Sequence, residues 1–312
     1  MKKFYAVLAM LVATVLWGFA FSAQANGMKH VGALLFVALR SVVGVAALAW
    51  VIIVVELLKY RKVSFWGNAE TVQARKSLLY GGLFCGLIIG AASTFQQLGL
   101  LYVSAGKTGF LTALYIIMVP LLGIFFKRKT PLLLWVAVFA ALSGAYLLCG
   151  GAGTVGKGEI FILICALLFA LHIMVIDHYA PHCDCVRLSC IQFAVATLLT
   201  LTASRLSGDP LELEKITASL PFWVFCGVGS SAIAFTLQMA AQKYLHPVTA
   251  SLIMSLESVF AVVGGYLFLH EKLSLRELCG CTIILFAIIL AQIPWKKRGE
   301  KNLQTAEEKS NV

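Results

Sequence analysis

Apolar runs of about twenty residues follow one another from residue 4 to residue 295, and short polar segments separate them. At ~1.5 Å per residue, a helix of this length crosses the ~30 Å hydrocarbon core of a bilayer, where the backbone must satisfy its own hydrogen bonds. The pattern therefore predicts an all-α integral membrane protein. The ten predicted spans, each placed to within a few residues, are 4–25, 33–57, 78–98, 104–126, 132–150, 159–177, 186–205, 220–241, 247–269 and 275–294.

The composition excludes a soluble protein. Hydrophobic residues make up 60% of the chain and charged residues 12%, whereas soluble domains carry roughly 25% charged residues. The net charge of +11 does not indicate nucleic-acid binding, because the basic residues lie between the apolar runs. With a cytoplasmic N-terminus, 17 of the 25 lysines and arginines fall in cytoplasmic segments. This asymmetry predicts a multi-pass protein of the bacterial plasma (inner) membrane with both termini cytoplasmic.

The N-terminus resembles a secretory signal peptide, since Lys2 and Lys3 precede an apolar stretch that ends in the small-residue pattern Ala23-Gln24-Ala25. The stretch is longer than the usual ~7–15 residues of a signal peptide. Cleavage would also leave an odd set of spans. We therefore expect the first helix to be retained.

Seven of the nine cysteines fall in or at the ends of predicted spans, where they serve as small packing residues. The other two, Cys183 and Cys185, lie in a loop with His178 and His182. This cluster has metal-ligand residue types, but its crowding and Pro181 do not match the spaced pairs of zinc sites. We favour an incidental cytoplasmic loop and predict no metal site.

Ten spans divide into two sets of five, and an odd number per set makes the second half begin on the opposite side of the membrane. The sequence therefore predicts two inverted five-helix repeats around a central cavity, an architecture that secondary transporters use for alternating access. An offset of 142 residues aligns Gln96 with Gln238 and Tyr115 with Glu257, whereas an offset of 152 pairs Arg40 with Gln192. The predicted units are a first repeat at 1–150, a second at 151–295 and a polar cytoplasmic tail at 296–312.

Several short motifs follow one another along the chain: Leu16-Trp17-Gly18, Ala38-Leu39-Arg40, the segment 106–120, and the segment 265–289 with Glu271-Lys272-Leu273-Ser274 and Gly280. In the order of these motifs, the chain resembles the drug/metabolite transporter superfamily, specifically the ten-helix EamA-type permeases. This resemblance implies a basket of two inverted repeats that moves small metabolites such as amino acids. The chain departs from the family by having Leu256-Glu257-Ser258 where Glu-Pro is frequent, so a proline kink is not predicted there, and by having Lys129 where a glutamate is common.

Glu257, near the middle of the ninth predicted span, is the most informative single residue. An ionised acidic side chain at that depth costs about 2.5–3.5 kcal/mol on insertion scales, so it should face the bundle interior. There it either binds a substrate ammonium group or takes up a coupling proton. The structural alternative is a buried carboxylate that pairs with Arg40 or hydrogen-bonds to a neighbouring helix.

Further polar and aromatic side chains occur within the spans, and each has helix packing as its alternative. Arg40 and Lys107 lie nearer the outer helix ends, where we favour anchoring with the charge reaching water over attraction of a substrate carboxylate. The predicted cavity residues besides Glu257 are Tyr115, Trp17, Gln96, Gln238 and His172.

The sequence lacks the Gly-x-x-x-x-Gly-Lys-Ser/Thr loop that binds nucleotides, so we expect no cofactor, and transport must use a gradient. We predict a secondary transporter, more specifically a proton-coupled or facilitated exporter of small metabolites such as amino acids. Its partners would be a small-molecule substrate and the lipid bilayer, but no nucleic acid, and it would act as a monomer or homodimer. The alternative is an integral-membrane enzyme with an interfacial metal site in the loop 178–185.

Overall fold

The computed structural model describes residues 2–67, 71–125, 132–148 and 155–291, and the secondary structure in these ranges is helical. A 3₁₀ turn lies at Ala180–His182 and a π-helix at Cys226–Ala234. The α-helices are α1 (Lys2–Gly27), α2 (Ala33–Tyr60), α3 (Val72–Gly99), α4 (Ala105–Thr112), α5 (Tyr115–Phe125), α6 (Leu132–Leu148), α7 (Lys157–Tyr179), α8 (Cys185–Leu206), α9 (Leu213–Ala218), α10 (Leu220–Phe225), α11 (Phe235–Gln242), α12 (Pro247–Ser255), α13 (Glu257–Leu269) and α14 (Leu275–Ala291).

Within the described ranges, eight segments are long and apolar enough to cross a membrane. They coincide with eight of the ten predicted spans, which confirms a multi-helix membrane protein. The fifth and tenth predicted spans correspond to α6 and α14, which are shorter at 17 residues each. These two helices pack mainly against each other, and a side chain at Gly144 would collide with the backbone of Gly280.

Polar contacts between helix ends define two faces of the bundle. At the end where α1 finishes, which we name the distal face, the Leu35 amide donates to Asp209 at 2.9 Å, and Lys107 pairs with Glu159 at 2.9 Å. At the opposite end, the proximal face, Arg187 pairs with a buried carboxylate at the end of α2. The starts of α2, α4 and α7 therefore lie distally, and the start of α8 lies proximally.

Two of the predicted spans are interrupted near their middles. The fourth consists of α4 and α5 with a turn at Ala113 and Leu114, and the ninth consists of α12 and α13 with a break at Leu256. The first residues after the two interruptions, Tyr115 and Glu257, are 142 residues apart, the same offset that aligns the halves of the sequence. The interruption at Leu256 forms without the proline that is frequent in the family.

Small residues let the interrupted helices approach their neighbours. A side chain at Gly18 in α1 would collide with Phe260 in α13, and one at Gly109 in α4 would collide with Ala261. Close backbone approach at small residues is a usual source of helix association in lipid, where the hydrophobic effect does not drive helices together. This packing brings α1, α4 and α13 around one central space.

A capping box begins α14, since the Ser274 amide donates to Glu277 at 2.9 Å and the Glu277 amide donates to Ser274 Oγ at 3.3 Å. Lys129 and the predicted tail 296–312 lie outside the described residues.

Candidate functional site

A cavity lies among the helices, and the space in it that the centre of a water molecule can occupy is about 30 Å³. That is room for roughly two water molecules, so the cavity is narrow in this conformation. Trp17, Phe235 and Met254 lie at its deep end, whereas Gln24 and Gln96 belong to the last turns of α1 and α3 and so mark its distal mouth. The cavity therefore extends from the middle of the bundle toward the distal face. The other lining residues are Ala20, Phe21, Arg40, Ser93, Tyr115, Phe169, Ser230 and Glu257.

Two of the predicted residues face each other inside this cavity, each at the first position after a helix interruption. The Tyr115 hydroxyl and the Glu257 carboxyl group are close enough to interact, but neither the hydroxyl nor Glu257 Oε1 has a hydrogen bond that meets standard geometry. Glu257 is also at the N-terminus of α13, where the helix dipole favours negative charge. The cavity thus contains a buried acidic group with unused hydrogen-bonding capacity.

Arg40 also lines the cavity, and this placement corrects the expectation that its charge reaches water at the outer interface. Arg40 is only 6% exposed, and its guanidinium group lies against the thiol of Cys226. The ion pairs among the described residues do not include one between Arg40 and Glu257. The structural alternative in which Glu257 pairs with Arg40 is therefore not found, and both charged side chains border the same cavity without a direct ion pair.

The aromatic and amide residues at the wall are placed by the neighbouring helices. The Trp17 indole donates its Nε1 hydrogen to the Ser230 carbonyl in the π-helix at 3.3 Å, and its ring packs edge-on against Phe235 at 4.9 Å. Gln96 lines the cavity beside Ser93 on α3. The wall consequently combines flat apolar surfaces with a few polar groups, as ligand sites usually do.

Three predicted residues do not line this cavity. Gln238 and His172 are fully buried. Gln238 lies one turn after Phe235 on α11, and the His172 ring packs edge-on against Phe235, with its Nε2 atom 2.9 Å from Gln192 Oε1. Lys107 lies at the distal face and forms the ion pair with Glu159, so it is neither in the cavity nor free in water.

The loop with His178 and His182 is a packed connection at the proximal face. Lys243 Nζ donates to the Cys183 carbonyl at 2.6 Å, and burial raises the pKa of the Cys183 thiol to about 11. Among the residues that the structure describes, no group of three or more His, Cys, Asp or Glu side chains is arranged to hold a metal ion.

Sequence reasoning missed several lining residues, including Gln24, Ser93 and Phe235. Gln24 and Ser93 are polar residues inside apolar runs, and this position in the sequence could have identified them as candidate cavity residues. Phe235 is one of 20 phenylalanines, and nothing in its local sequence distinguishes it from a lipid-facing ring. Its role follows only from its position between several helices.

A central cavity enclosed by membrane-spanning helices is the architecture of a membrane transport protein. The chain belongs to the EamA-like transporter family, whose model matches residues 4–150 and again residues 156–292. This match confirms the family resemblance and gives the protein the family's two-repeat architecture.

Relatives of known sequence agree with this assignment. The chain is 29% identical to an uncharacterized transporter of Archaeoglobus fulgidus over 67% of this chain and 68% of that protein. It is 20% identical to the uncharacterized transporter YoaV of Bacillus subtilis over 94% of this chain and 98% of the relative. A solved crystal structure shares the fold, with a TM-score of 0.66 at 17% identity over 92% of this chain and 97% of the other.

Proposed function

We propose that this transporter exports small zwitterionic metabolites such as amino acids across the bacterial inner membrane by alternating access. The observation that carries the proposal is that Arg40 and Glu257 line one cavity without pairing with each other. A zwitterion would place its carboxylate at the guanidinium and its ammonium group at the carboxylate. It would thereby neutralise two charges that are costly to bury separately.

The apolar wall suits the remainder of such a solute. Trp17, Phe235 and Phe169 provide flat surfaces of the type that packs against aliphatic or aromatic groups. The amide of Gln96 can donate and accept hydrogen bonds near the mouth. The chemistry of this lining favours one small amphipathic molecule rather than a lipid or a polymer.

Ten spans in two inverted repeats are the architecture that we propose for alternating access. The paired interruptions before Tyr115 and Glu257 support it, since interrupted helices commonly form the midplane sites of transporters built from inverted repeats. The charge asymmetry of the loops supports a cytoplasmic proximal face. On that orientation, the cavity extends from the middle of the bundle toward the outside.

Ligand binding can be tested by thermal unfolding of the purified protein, because a ligand that binds only the folded state adds about 2.7 kcal/mol at 100 times its Kd. An amino acid should stabilise the protein more than its carboxamide or its N-acetyl derivative. Arg40→Gln should remove the preference over the carboxamide, and Glu257→Gln the preference over the N-acetyl derivative. The control Lys215→Gln changes an exposed residue far from the cavity and should keep both preferences.

Proton coupling is tested separately by flux in proteoliposomes. Glu257→Gln should abolish the dependence of flux on the pH gradient, because an amide cannot exchange the proton. If amino acids fail to stabilise the protein, or if both variants lose the two preferences equally, the zwitterion assignment is wrong. If Glu257→Gln keeps full pH dependence, Glu257 is not the coupling residue.

A further inference from the structure

The cavity ends on its proximal side at a barrier of aromatic rings centred on Phe235. The Phe235 ring lies 4.9 Å from the ring centre of Trp17, 5.4 Å from that of Phe193 and 5.7 Å from that of His172, each in an edge-to-face arrangement. These three partners belong to α1, α8 and α7. One side chain therefore closes the space between three helices.

Beside this barrier and proximal to it, several polar side chains are buried among the apolar ones. These polar residues are His172, Gln192, Gln238 and Gln242. The first three are completely buried, and Gln242 is 3% exposed. Five of their polar atoms have no hydrogen-bond partner: His172 Nδ1, Gln192 Nε2, both side-chain polar atoms of Gln238 and Gln242 Oε1. An apolar closure would not need four such side chains.

These residues face one shared region. Phe235, Gln238 and Gln242 follow a spacing of three and four residues on α11, so they lie on the same helix face. Gln242 Nε2 donates to the Ile173 carbonyl at 3.2 Å, and His172 contacts Gln192 at 2.9 Å. The face of α11 therefore packs where α7 and α8 meet, in line with Phe235 and toward the proximal face.

Buried polar groups without partners are rare in native proteins and require an explanation. They are costly in this conformation, whereas the same groups are favourable when water or a polar solute reaches them. The polar region continues the line of the cavity from Phe235 toward the proximal face. Its chemistry is that of a solvated passage in its closed form.

The backbone before Phe235 provides a means of moving the ring. Residues Cys226–Ala234 form a π-helix that ends directly at Phe235, and π-helical segments occur frequently at functional sites. Conversion to α-helical register would advance the following residue by about one position, a rotation of about 100° around the helix axis. Such a rotation would take the ring out from between its three partners.

We propose that His172, Gln192, Gln238 and Gln242 line the proximal half of the translocation path, which Phe235 closes in this conformation. The path admits water and the same small polar solutes as the cavity. This inference rests on the proposed alternating access, but it concerns the route and not the identity of the substrate. It also gives Gln238 and His172 a role, although neither residue borders the open cavity.

The test is the accessibility of single introduced cysteines in the full-length protein in nanodiscs. Gln238→Cys is compared with Met239→Cys, because both native residues are completely buried and adjacent on α11, but Met239 packs in an apolar cluster with Leu78 and Ile176. A membrane-impermeant thiol reagent is applied, and labelling is measured by mass spectrometry on the peptide that contains the introduced residue, so the native cysteines remain in place.

We expect Gln238→Cys to react at least tenfold faster than Met239→Cys. Adding Phe235→Ala should increase the labelling rate at position 238 and leave the rate at position 239 unchanged. Gln242→Cys provides a second reporter on the same face if Gln238→Cys does not fold, as judged by size-exclusion chromatography. The proposal would be overturned if positions 238 and 239 were labelled at equal rates, or if Phe235→Ala did not change the rate at position 238. Because labelling requires no substrate, its failure is distinct from a failure of the zwitterion assignment, which ligand stabilisation tests.

Discussion

Glu271 connects the distal end of α13 to the beginning of α4, and its removal should weaken the whole bundle. The backbone at His270 turns with a φ of 56°, and the Glu271 amide donates to the Gly265 carbonyl at 3.1 Å. This turn aims the carboxylate at α4, where Glu271 Oε1 accepts from the Ala105 amide at 2.8 Å and Oε2 from the Gly106 amide at 3.1 Å. The side chain thus satisfies two of the four amides that a helix start leaves unpaired.

The expected cost of Glu271→Ala follows from these contacts. A hydrogen bond to a charged group contributes about 1.5–3 kcal/mol, and a carboxylate at a helix N-terminus adds about 0.3–1 kcal/mol. The site is only partly buried, so water recovers part of the loss at the freed amides. We expect the free energy of unfolding to fall by about 2–4 kcal/mol, and by about half as much for Glu271→Gln, which keeps one carbonyl acceptor.

Unfolding by SDS in mixed micelles, followed by helicity, measures this change. The matched control is Glu277→Ala, which removes the carboxylate of the capping box at the start of α14. That cap connects only neighbouring residues, and losses of this kind are typically about 1 kcal/mol. The reasoning is refuted if Glu271→Ala costs no more than Glu277→Ala, or if Glu271→Gln is as damaging as Glu271→Ala.

Three further predictions concern single side chains. Arg187→Met should lower the unfolding midpoint more than Lys215→Met, because Arg187 forms a buried ion pair and Lys215 an exposed one; equal midpoints would contradict this. His270→Gly should raise the free energy of unfolding by up to about 1 kcal/mol, since glycine adopts a φ of 56° without strain, and an SDS titration that shows a decrease would refute it. Alkylation of Cys183 by iodoacetamide, measured on its own peptide, should still be rising steeply at pH 10, because its pKa is about 11, whereas the rate for a thiol with the ordinary pKa of about 8.5 levels off by then; a plateau before pH 10 would contradict the raised pKa.

The membrane-spanning helices could be predicted because one constraint, apolar length against bilayer thickness, dominates all others. Helix ends were less accessible to prediction. Helix α3 begins at Val72, although the apolar run was predicted from residue 78, because polar residues such as Arg75 and Lys76 extend the helix beyond the hydrocarbon core. The break at Leu256 has neither proline nor glycine at the interruption, so local sequence contains no signal for it.

Part of the candidate site was predicted for a physical reason as well. Glu257 stands out because a buried carboxylate is costly in lipid, and its partner Tyr115 followed from the repeat offset. Arg40 was misplaced because position along a helix indicates depth but not direction, and only the packing of α2 turns its side chain inward. Phe235 could not be found, since a phenylalanine suits lipid, core and cavity equally well.

The two charges of the cavity are the feature that the proposed repeat does not duplicate. The positions equivalent to Glu257 and Arg40, under offsets of 142 and 152 residues, carry the neutral residues Tyr115 and Gln192. An inverted repeat can exchange the conformations of its halves, but the acidic group stays on α13 and the basic group on α2. A bound zwitterion would therefore keep the same two partners while the barrier moves from one side of it to the other. The residues that differ between the two halves would then determine which substrate binds, and the backbone that the two halves share would change conformation during transport.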